Sequence, residues 1–189
     1  MNNKTFTIIK NEAEVSKLLA SSLNENLLKL GMTIDDKEPM IIFTIGGDGT
    51  FLRAISEYNN ILEKTKFIPI NTGNIGFNIP FKAFDLERII NNLQENKFLL
   101  QELDALEIKT ASQTIYGLNE IKLVTLTKTM NFDLYLNSNV LQSCQSSGFV
   151  ISTKVGSSGF SKSVKGAVII SDKNLLQFQE LAAVISFYH

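Results

Sequence analysis

One stretch of the chain contains residue types that could bind a phosphorylated ligand and act on it. The apolar run at residues 41–45 leads directly into the sequence Gly-Gly-Asp-Gly-Thr at residues 46–50. A run that is apolar at nearly every position is typical of a buried parallel strand. Glycines let the backbone turn sharply and approach a ligand, and residues 50–55 predict a helix. A strand, a glycine turn and a helix N-terminus together form an anion site.

The aspartate within this stretch points to chemistry beyond phosphate binding. A carboxylate repels phosphate, so Asp48 suggests work on a hydroxyl or on a metal ion. The alternative is that Gly-Gly-Asp-Gly is only a tight turn in which Asp48 caps the following helix. Both interpretations stay open on this motif alone.

The elements around the motif predict an α/β fold. Strands are expected at residues 5–9, 41–45 and 67–70, and helices at 12–30, 50–58 and 85–94. Three strand–helix units in a row predict a doubly wound sheet, whose ligands bind beyond the carboxyl ends of the strands. A second glycine-rich loop, residues 71–77, follows the third strand. The first helix is expected to bury the face formed by Val15, Leu18, Leu19, Leu23, Leu27 and Leu30.

The second half of the chain has a different pattern. Short extended segments separated by turn residues predict an antiparallel β domain. We therefore expect an α/β nucleotide- and phosphate-binding domain at residues 1–97 and a β-rich domain at residues 98–189. The predicted strands of this second domain are residues 105–110, 113–116, 121–125, 132–136, 149–153 and 168–170.

Two polar clusters interrupt the β half: Asn119 with Glu120, and the Ser- and Gly-rich residues 146–163. The second cluster fits a flexible loop, but Phe160 is a poor choice for a solvated linker. The alternative is that residues 157–163 open a helix whose N-terminus binds a polar ligand.

Composition excludes several other classes of function. A net charge of −1 without a basic block argues against nucleic-acid binding. Cys144 is the only cysteine and His189 the only histidine, which excludes an intramolecular disulfide and internal histidine chemistry. No apolar run reaches the ~18 residues of a membrane span, so we expect a cytoplasmic protein without a membrane partner.

These motifs resemble those of the NAD kinases in order and approximate spacing, over nearly the whole chain. The Gly-Gly-Asp-Gly-Thr sequence is shared with diacylglycerol and sphingosine kinases and with phosphofructokinases. The loop at residues 71–77, followed by Asn119 and Glu120, narrows the resemblance to NAD kinases. A lipid kinase is expected to have an apolar pocket in place of these polar clusters.

The resemblance implies transfer of a phosphoryl group from ATP, or from polyphosphate, to the 2′-hydroxyl of the adenosine ribose of NAD. Asp48 matches the family's proton acceptor, and Mg²⁺ would accompany ATP. The implied phosphate-binding residues are Gly46, Gly47, Gly49 and Thr50. The implied NAD-binding residues are Asp48, Gly49, Phe77, Asn119, Glu120, Ser147, Ser158, Gly159, Phe160, Ser161, Lys162, Ser163 and Ala182.

The chain departs from the family pattern in its last segment. Gln145 replaces an arginine, Ser147 an aspartate, Lys154 a proline and Phe160 a tyrosine. The family also continues beyond the position of His189, so we expect either a fragment or a shortened relative. An impaired, binding-only relative and a lipid or other small-molecule kinase therefore remain alternatives. Family members are oligomeric, which implies a homo-oligomer, either a dimer or a tetramer.

Overall fold

The structure, a computed structural model, describes residues 4–73, 76, 79–171 and 173–184. The chain folds as two compact units, Met1–Gln101 and Glu102–His189. The expected combination of an α/β first half with an antiparallel second half is confirmed. In the described part of the chain, no helix has both the length and the apolar character needed to cross a membrane.

The described strands of the first unit form one parallel sheet in the order β2-β1-β3-β4-β5. The order changes direction between β1 and β3, and ligands of doubly wound sheets bind beyond the strand ends at such a point. The two short edge strands, β2 and β5, were not expected from the sequence. The strands are β1 (Thr5–Lys10), β2 (Thr33–Ile34), β3 (Ile41–Gly46), β4 (Lys66–Asn71) and β5 (Phe81–Lys82).

The central strand is buried along its whole length, as its apolar run predicts. Ile42, Phe43 and Ile45 are fully buried in β3. The rings of Phe6 in β1 and Phe43 meet edge to face with their centroids 6.3 Å apart. This packing fixes the strand from which the motif at residues 46–50 emerges.

Three helices connect these strands: α1 (Glu14–Lys29), α2 (Asp48–Glu57) and α3 (Leu86–Glu95). Helix α3 packs through Ile89 and Leu93, which are buried. The expected face of α1 is wrong in its first half, because Val15 and Leu18 are 56% and 65% exposed. Helix α1 instead packs through small residues at that end, and its buried residues are Ser16, Ala20, Leu23 and Leu27.

The described strands of the second unit form three antiparallel sheets: a β6–β7 hairpin, a β9–β10 hairpin and the sheet β12-β11-β8. The strands are β6 (Leu106–Lys109), β7 (Thr114–Gly117), β8 (Glu120–Val124), β9 (Met130–Leu136), β10 (Asn139–Ser146), β11 (Gly148–Ser152) and β12 (Gln177–Leu181). The short helix α4 (Phe160–Ser163) follows a 3₁₀ turn at Gly156–Ser158.

The structure corrects the strand prediction in two places. Residues 168–170 are not a strand, and Ile170 is 92% exposed although the sequence there is apolar. Strands β10 and β12 were missed because their polar sequences lack the alternation of a half-buried strand.

Candidate functional site

The glycine motif joins β3 to α2 within the first unit. Gly46 ends β3, Gly47 is the N-cap residue, and Asp48 is the first residue of α2. The carbonyl oxygen of Gly47 accepts from the backbone N–H groups of Thr50 at 2.9 Å and Phe51 at 3.3 Å. The N-cap position is therefore occupied by Gly47 and not by Asp48. Its carboxylate lies half-buried in the first helical turn, at the carboxyl edge of the sheet.

The three glycines of the motif differ in the space around them. A Cβ on Gly46 would lie 2.2 Å from Thr50 Oγ1 and 3.1 Å from Asn11 Nδ2, so any side chain there would clash. A Cβ on Gly47 or Gly49 would meet no atom within 4 Å. Packing of the chain itself thus requires only Gly46, while Gly47 and Gly49 leave open space that a ligand can approach.

The second glycine loop begins beside the first. Gly46 and Asn71 are register partners at the ends of β3 and β4, and Thr72 N–H donates to the Gly46 carbonyl at 3.3 Å. Asn71 is 2% exposed, and its Oδ1 accepts from the Gly73 N–H at 2.7 Å. The predicted NAD contact Phe77 lies outside the described residues.

A contact from α1 reaches this loop and was not expected from the sequence. The hydroxyl groups of Ser16 and Thr72 are 2.7 Å apart, and Ser16 is completely buried. In the sequence, this contact is indicated only by the position of Ser16 on the face of α1 that is buried in the structure.

In the second unit, the turn after β11 packs against Asn119. The N–H and Oγ1 of Thr153 both donate to the Asn119 carbonyl, at 2.9 and 3.1 Å. A Cβ on Gly156 would lie 1.9 Å from the same carbonyl oxygen, so only glycine fits there. The two polar clusters of the sequence are therefore brought together, and the Ser- and Gly-rich segment is not a solvated loop.

The side chains of Asn119 and Glu120 each hold an acceptor oxygen that is buried and unbonded. Asn119 Oδ1 and Glu120 Oε2 have no hydrogen-bond partner among the residues that the structure describes. A buried acceptor without a partner costs about 1–3 kcal/mol, so such atoms favour a ligand that donates hydrogen bonds.

Lys122 joins this cluster and was missed by sequence reasoning. Its ammonium group lies 3.6 Å from Glu120 Oε1 and 4.0 Å from the centre of the Phe160 ring. Glu120 and Lys122 are two residues apart in β8 and so point to the same face. That spacing was visible in the sequence, whereas the approach of Phe160 was not.

The predicted run from Ser158 to Ser163 is divided between buried and exposed side chains. Ser161 is completely buried, with its hydroxyl 2.9 Å from the Gln177 carboxamide. Ser158, Gly159, Lys162 and Ser163 are exposed and Phe160 is half-buried. Their contact with NAD stays a prediction.

The two remaining predicted contacts, Ser147 and Ala182, lie near the end of β12. Ser147 N–H donates to the Leu181 carbonyl at 2.9 Å, and Ala182 follows with a φ of 48°. The predicted contacts that the structure describes are thus divided between the units: residues 46–50 in the first, and Asn119, Glu120, Ser147, 158–163 and Ala182 in the second.

Proteins of the NAD kinase family are similar to this chain in sequence. The family model of the ATP-NAD kinase N-terminal domain matches residues 1–98. The NAD kinase of Latilactobacillus sakei subsp. sakei is 30% identical over 185 residues, which cover 95% of this chain and 69% of that protein. The chain belongs to the NAD kinase family. The NAD kinase of Levilactobacillus brevis is 32% identical, over 94% of this chain and 69% of its own length.

Solved structures of NAD kinases share the fold. A yeast NADH kinase complexed with NADH matches with a TM-score of 0.82 at 14% identity, over 100% of this chain and 65% of that one. An NAD kinase from Archaeoglobus fulgidus in complex with ATP matches with a TM-score of 0.72 at 18% identity, over 98% of this chain and 75% of that one.

Proposed function

We propose that this NAD kinase family member transfers a phosphoryl group from ATP, or from polyphosphate, to the 2′-hydroxyl of the adenosine ribose of NAD, giving NADP. Family membership supports the reaction class, and the solved relatives are bound to NADH and to ATP. The chemistry requires an acceptor site for a ribose, a base for its hydroxyl, and groups that hold the donor phosphates.

The observation that carries the proposal is the pair of unbonded acceptors on Asn119 and Glu120. A ribose offers hydroxyl donors, and buried acceptors discriminate strongly for a ligand that supplies such donors. A lipid acceptor also carries a hydroxyl group, but most of its surface is hydrocarbon and would need an apolar lining in place of these polar groups. The polar lining therefore favours a nucleotide over a lipid, as the sequence indicated.

Asp48 is the proposed general base. A ribose hydroxyl is a weak nucleophile, and a carboxylate within hydrogen-bond reach can orient it and accept its proton as the new P–O bond forms. Asp48 lies at the start of α2, where its position is fixed by the backbone of the helix. The donor phosphates would contact the open backbone at Gly47 and Gly49, with Gly46 and Thr50 completing the loop.

Magnesium is proposed as part of the ATP substrate, where the triphosphate oxygens bind it. Among the residues that the structure describes, no group of three or more His, Cys, Asp or Glu side chains could hold a metal ion.

The proposal is tested by assaying NADP formation from NAD with ATP and with polyphosphate. The Asp48→Asn variant should still bind NAD but lose about 10²–10⁴ in rate, because an amide cannot accept the proton. Asp104→Asn, at an exposed aspartate of the second unit, is the matched control and should keep full activity. Equal rates for Asp48→Asn and the native chain would exclude Asp48 as base.

The same assay separates the alternatives. NAD binding in calorimetry without NADP formation would indicate a binding-only relative, and phosphorylation of diacylglycerol or sphingosine in place of NAD would indicate a lipid kinase. We also propose that residues 1–97 form the nucleotide- and phosphate-binding domain and that residues 98–189 form a β-rich NAD-binding domain. We further propose that the protein assembles as a homo-oligomer and is located in the cytoplasm. These three are predictions of the sequence.

A further inference from the structure

We propose that Ser16 of α1 is a positioning residue for the Asp48 loop, acting through Thr72. This inference rests on the proposed function. It adds to that function a residue from a part of the chain in which no site residue was predicted.

The first step is the burial of the Ser16 hydroxyl. Ser16 is 0% exposed, and its hydroxyl bonds with Thr72 Oγ1 at 2.7 Å, across 56 residues of sequence. Ser16 is the third residue of α1 and so lies in the first turn of this helix. Its hydroxyl ties the start of α1 to the loop after β4.

The second step runs from Thr72 to the motif. The Thr72 N–H donates to the Gly46 carbonyl at 3.3 Å. The backbone at Gly46 is also closely packed, because a Cβ there would lie 2.2 Å from Thr50 Oγ1 and 3.1 Å from Asn11 Nδ2. Gly46 is two residues before Asp48. A displacement of Thr72 should therefore displace Gly46 and, through the short backbone segment that follows, the carboxylate of Asp48.

The third step is the local structure on either side of Thr72. Asn71 Oδ1 accepts from Gly73 N–H at 2.7 Å, which closes a tight turn around Thr72. A Cβ on Gly76 would lie 2.7 Å from Asn71 Nδ2, so Gly76 also lies close to this side chain. Thr72 thus contacts Ser16 through its hydroxyl and Gly46 through its backbone, and it links the two residues.

The test is a double-mutant cycle on the two hydroxyls. Ser16→Ala and Thr72→Val each remove one partner while nearly preserving shape, Thr72→Ser keeps the hydroxyl, and Ser22→Ala makes the same change elsewhere on α1. We expect Ser16→Ala and Thr72→Val each to lower kcat by about 10-fold, since small misplacements of catalytic groups are costly. The double variant should be no worse than either single one, and Thr72→Ser should restore the rate.

Two further measurements separate positioning from stability and from the proposed function. Ser16→Ala, but not Ser22→Ala, should shift the backbone amide resonances of Gly47, Asp48 and Gly49. Urea unfolding of each variant gives the stability change alone. A stability loss with unchanged kcat and unchanged amide resonances would overturn the proposal. If the native chain forms no NADP, the proposed function fails, and the amide resonances still decide whether Ser16 positions the loop.

Discussion

At the scale of single residues, the motif at residues 46–50 contains one glycine that the fold requires and two that it does not. The space beside Gly46 is filled by Thr50 and Asn11, whereas a Cβ on Gly47 or Gly49 would meet nothing within 4 Å. Gly47 and Gly49 instead leave space that the proposed donor phosphates can approach. Stability and binding should therefore respond differently to substitutions at these positions.

We expect Gly46→Ala to destabilise the first unit by about 1–3 kcal/mol, the usual cost of forcing an extra methyl group into a packed site. Gly49→Ala, in the first turn of α2, should keep or raise stability, because alanine favours a helix by up to about 1 kcal/mol over glycine. Urea unfolding measures both. Equal losses would show that the packing around Gly46 is not what requires glycine there.

Phe160 is predicted to bind NAD, and in the structure it contacts Lys122. Lys122 lies over its ring, and the side chain is half-buried. Phe160→Ala should weaken NAD binding by about 1–3 kcal/mol, the range for loss of a base–aromatic stack, with little change in melting temperature. The same result is predicted for Phe77→Ala.

The matched control for Phe160 is Phe178, whose ring packs 5.8 Å from Phe149 and 6.4 Å from Phe132. Phe178→Ala should lower the melting temperature and leave the affinity of the folded protein for NAD unchanged. Calorimetric titration and thermal unfolding distinguish the two behaviours. Unchanged NAD affinity in Phe160→Ala with a large fall in melting temperature would make Phe160 a core residue.

At the scale of elements, the long strands of the first unit could be predicted because burial on both faces leaves an uninterrupted apolar run. Strand β3 is the example, with every residue buried. Strand β10 could not be predicted, since six of its eight residues are exposed and its sequence carries no alternation. The apolar residues 168–170 gave the opposite error, because a short apolar run does not by itself determine pairing.

The residues of the candidate site also differ in whether they could be predicted from the sequence. Local signals located Asp48, Asn119, Glu120 and the Ser- and Gly-rich segment, since strand ends and glycine turns are local features of sequence. Lys122 and Ser16 were missed because their roles depend on partners 38 and 56 residues away, Phe160 and Thr72. One sequence contains no direct signal for such pairings.

Strand β10 contains the buried thiol of Cys144. The rate at which this thiol reacts measures how readily the β9–β10 hairpin opens. Burial, and after it the charge of Glu180, raises the pKa of the Cys144 thiol to about 11. Relative to an ordinary thiol of pKa 9.0, we expect about 100-fold less thiolate and a correspondingly slower reaction with iodoacetamide near neutral pH. Labelling in concentrated guanidinium is the control, and equally fast labelling of the folded chain would show that the hairpin opens readily.

The shifted thiol also gives a pH dependence. The folded pKa lies above the unfolded one, so this contribution to stability is present below about pH 9 and is lost as pH rises toward 11. The free energy of unfolding should therefore fall more steeply over this range in the native chain than in Cys144→Ala. Identical slopes for the two proteins would contradict the shift.

At the scale of the whole molecule, the second unit exposes apolar side chains at one hairpin end. We define the hairpin-tip patch as the four residues Tyr135, Leu136, Val140 and Leu141, which are 57–61% exposed. Tyr135 and Val140 are register partners across β9 and β10, so their side chains are neighbours on one face. Clustered exposed apolar side chains of this kind favour contact with another protein surface.

We expect the patch to mediate self-association, with a second copy of the chain as its partner. A net charge of −1 offers little electrostatic repulsion between copies, and patches on identical chains can meet about a two-fold axis. Light scattering at micromolar concentration should give a mass of at least two chains.

The patch itself is tested by substitution. Val140→Lys places a charge within the patch and should shift the protein toward monomer. Leu18→Lys, at a 65% exposed position on α1, is the matched control and should leave the mass unchanged. A monomeric native chain, or equal masses for Val140→Lys and Leu18→Lys, would show that the hairpin-tip patch does not hold copies together.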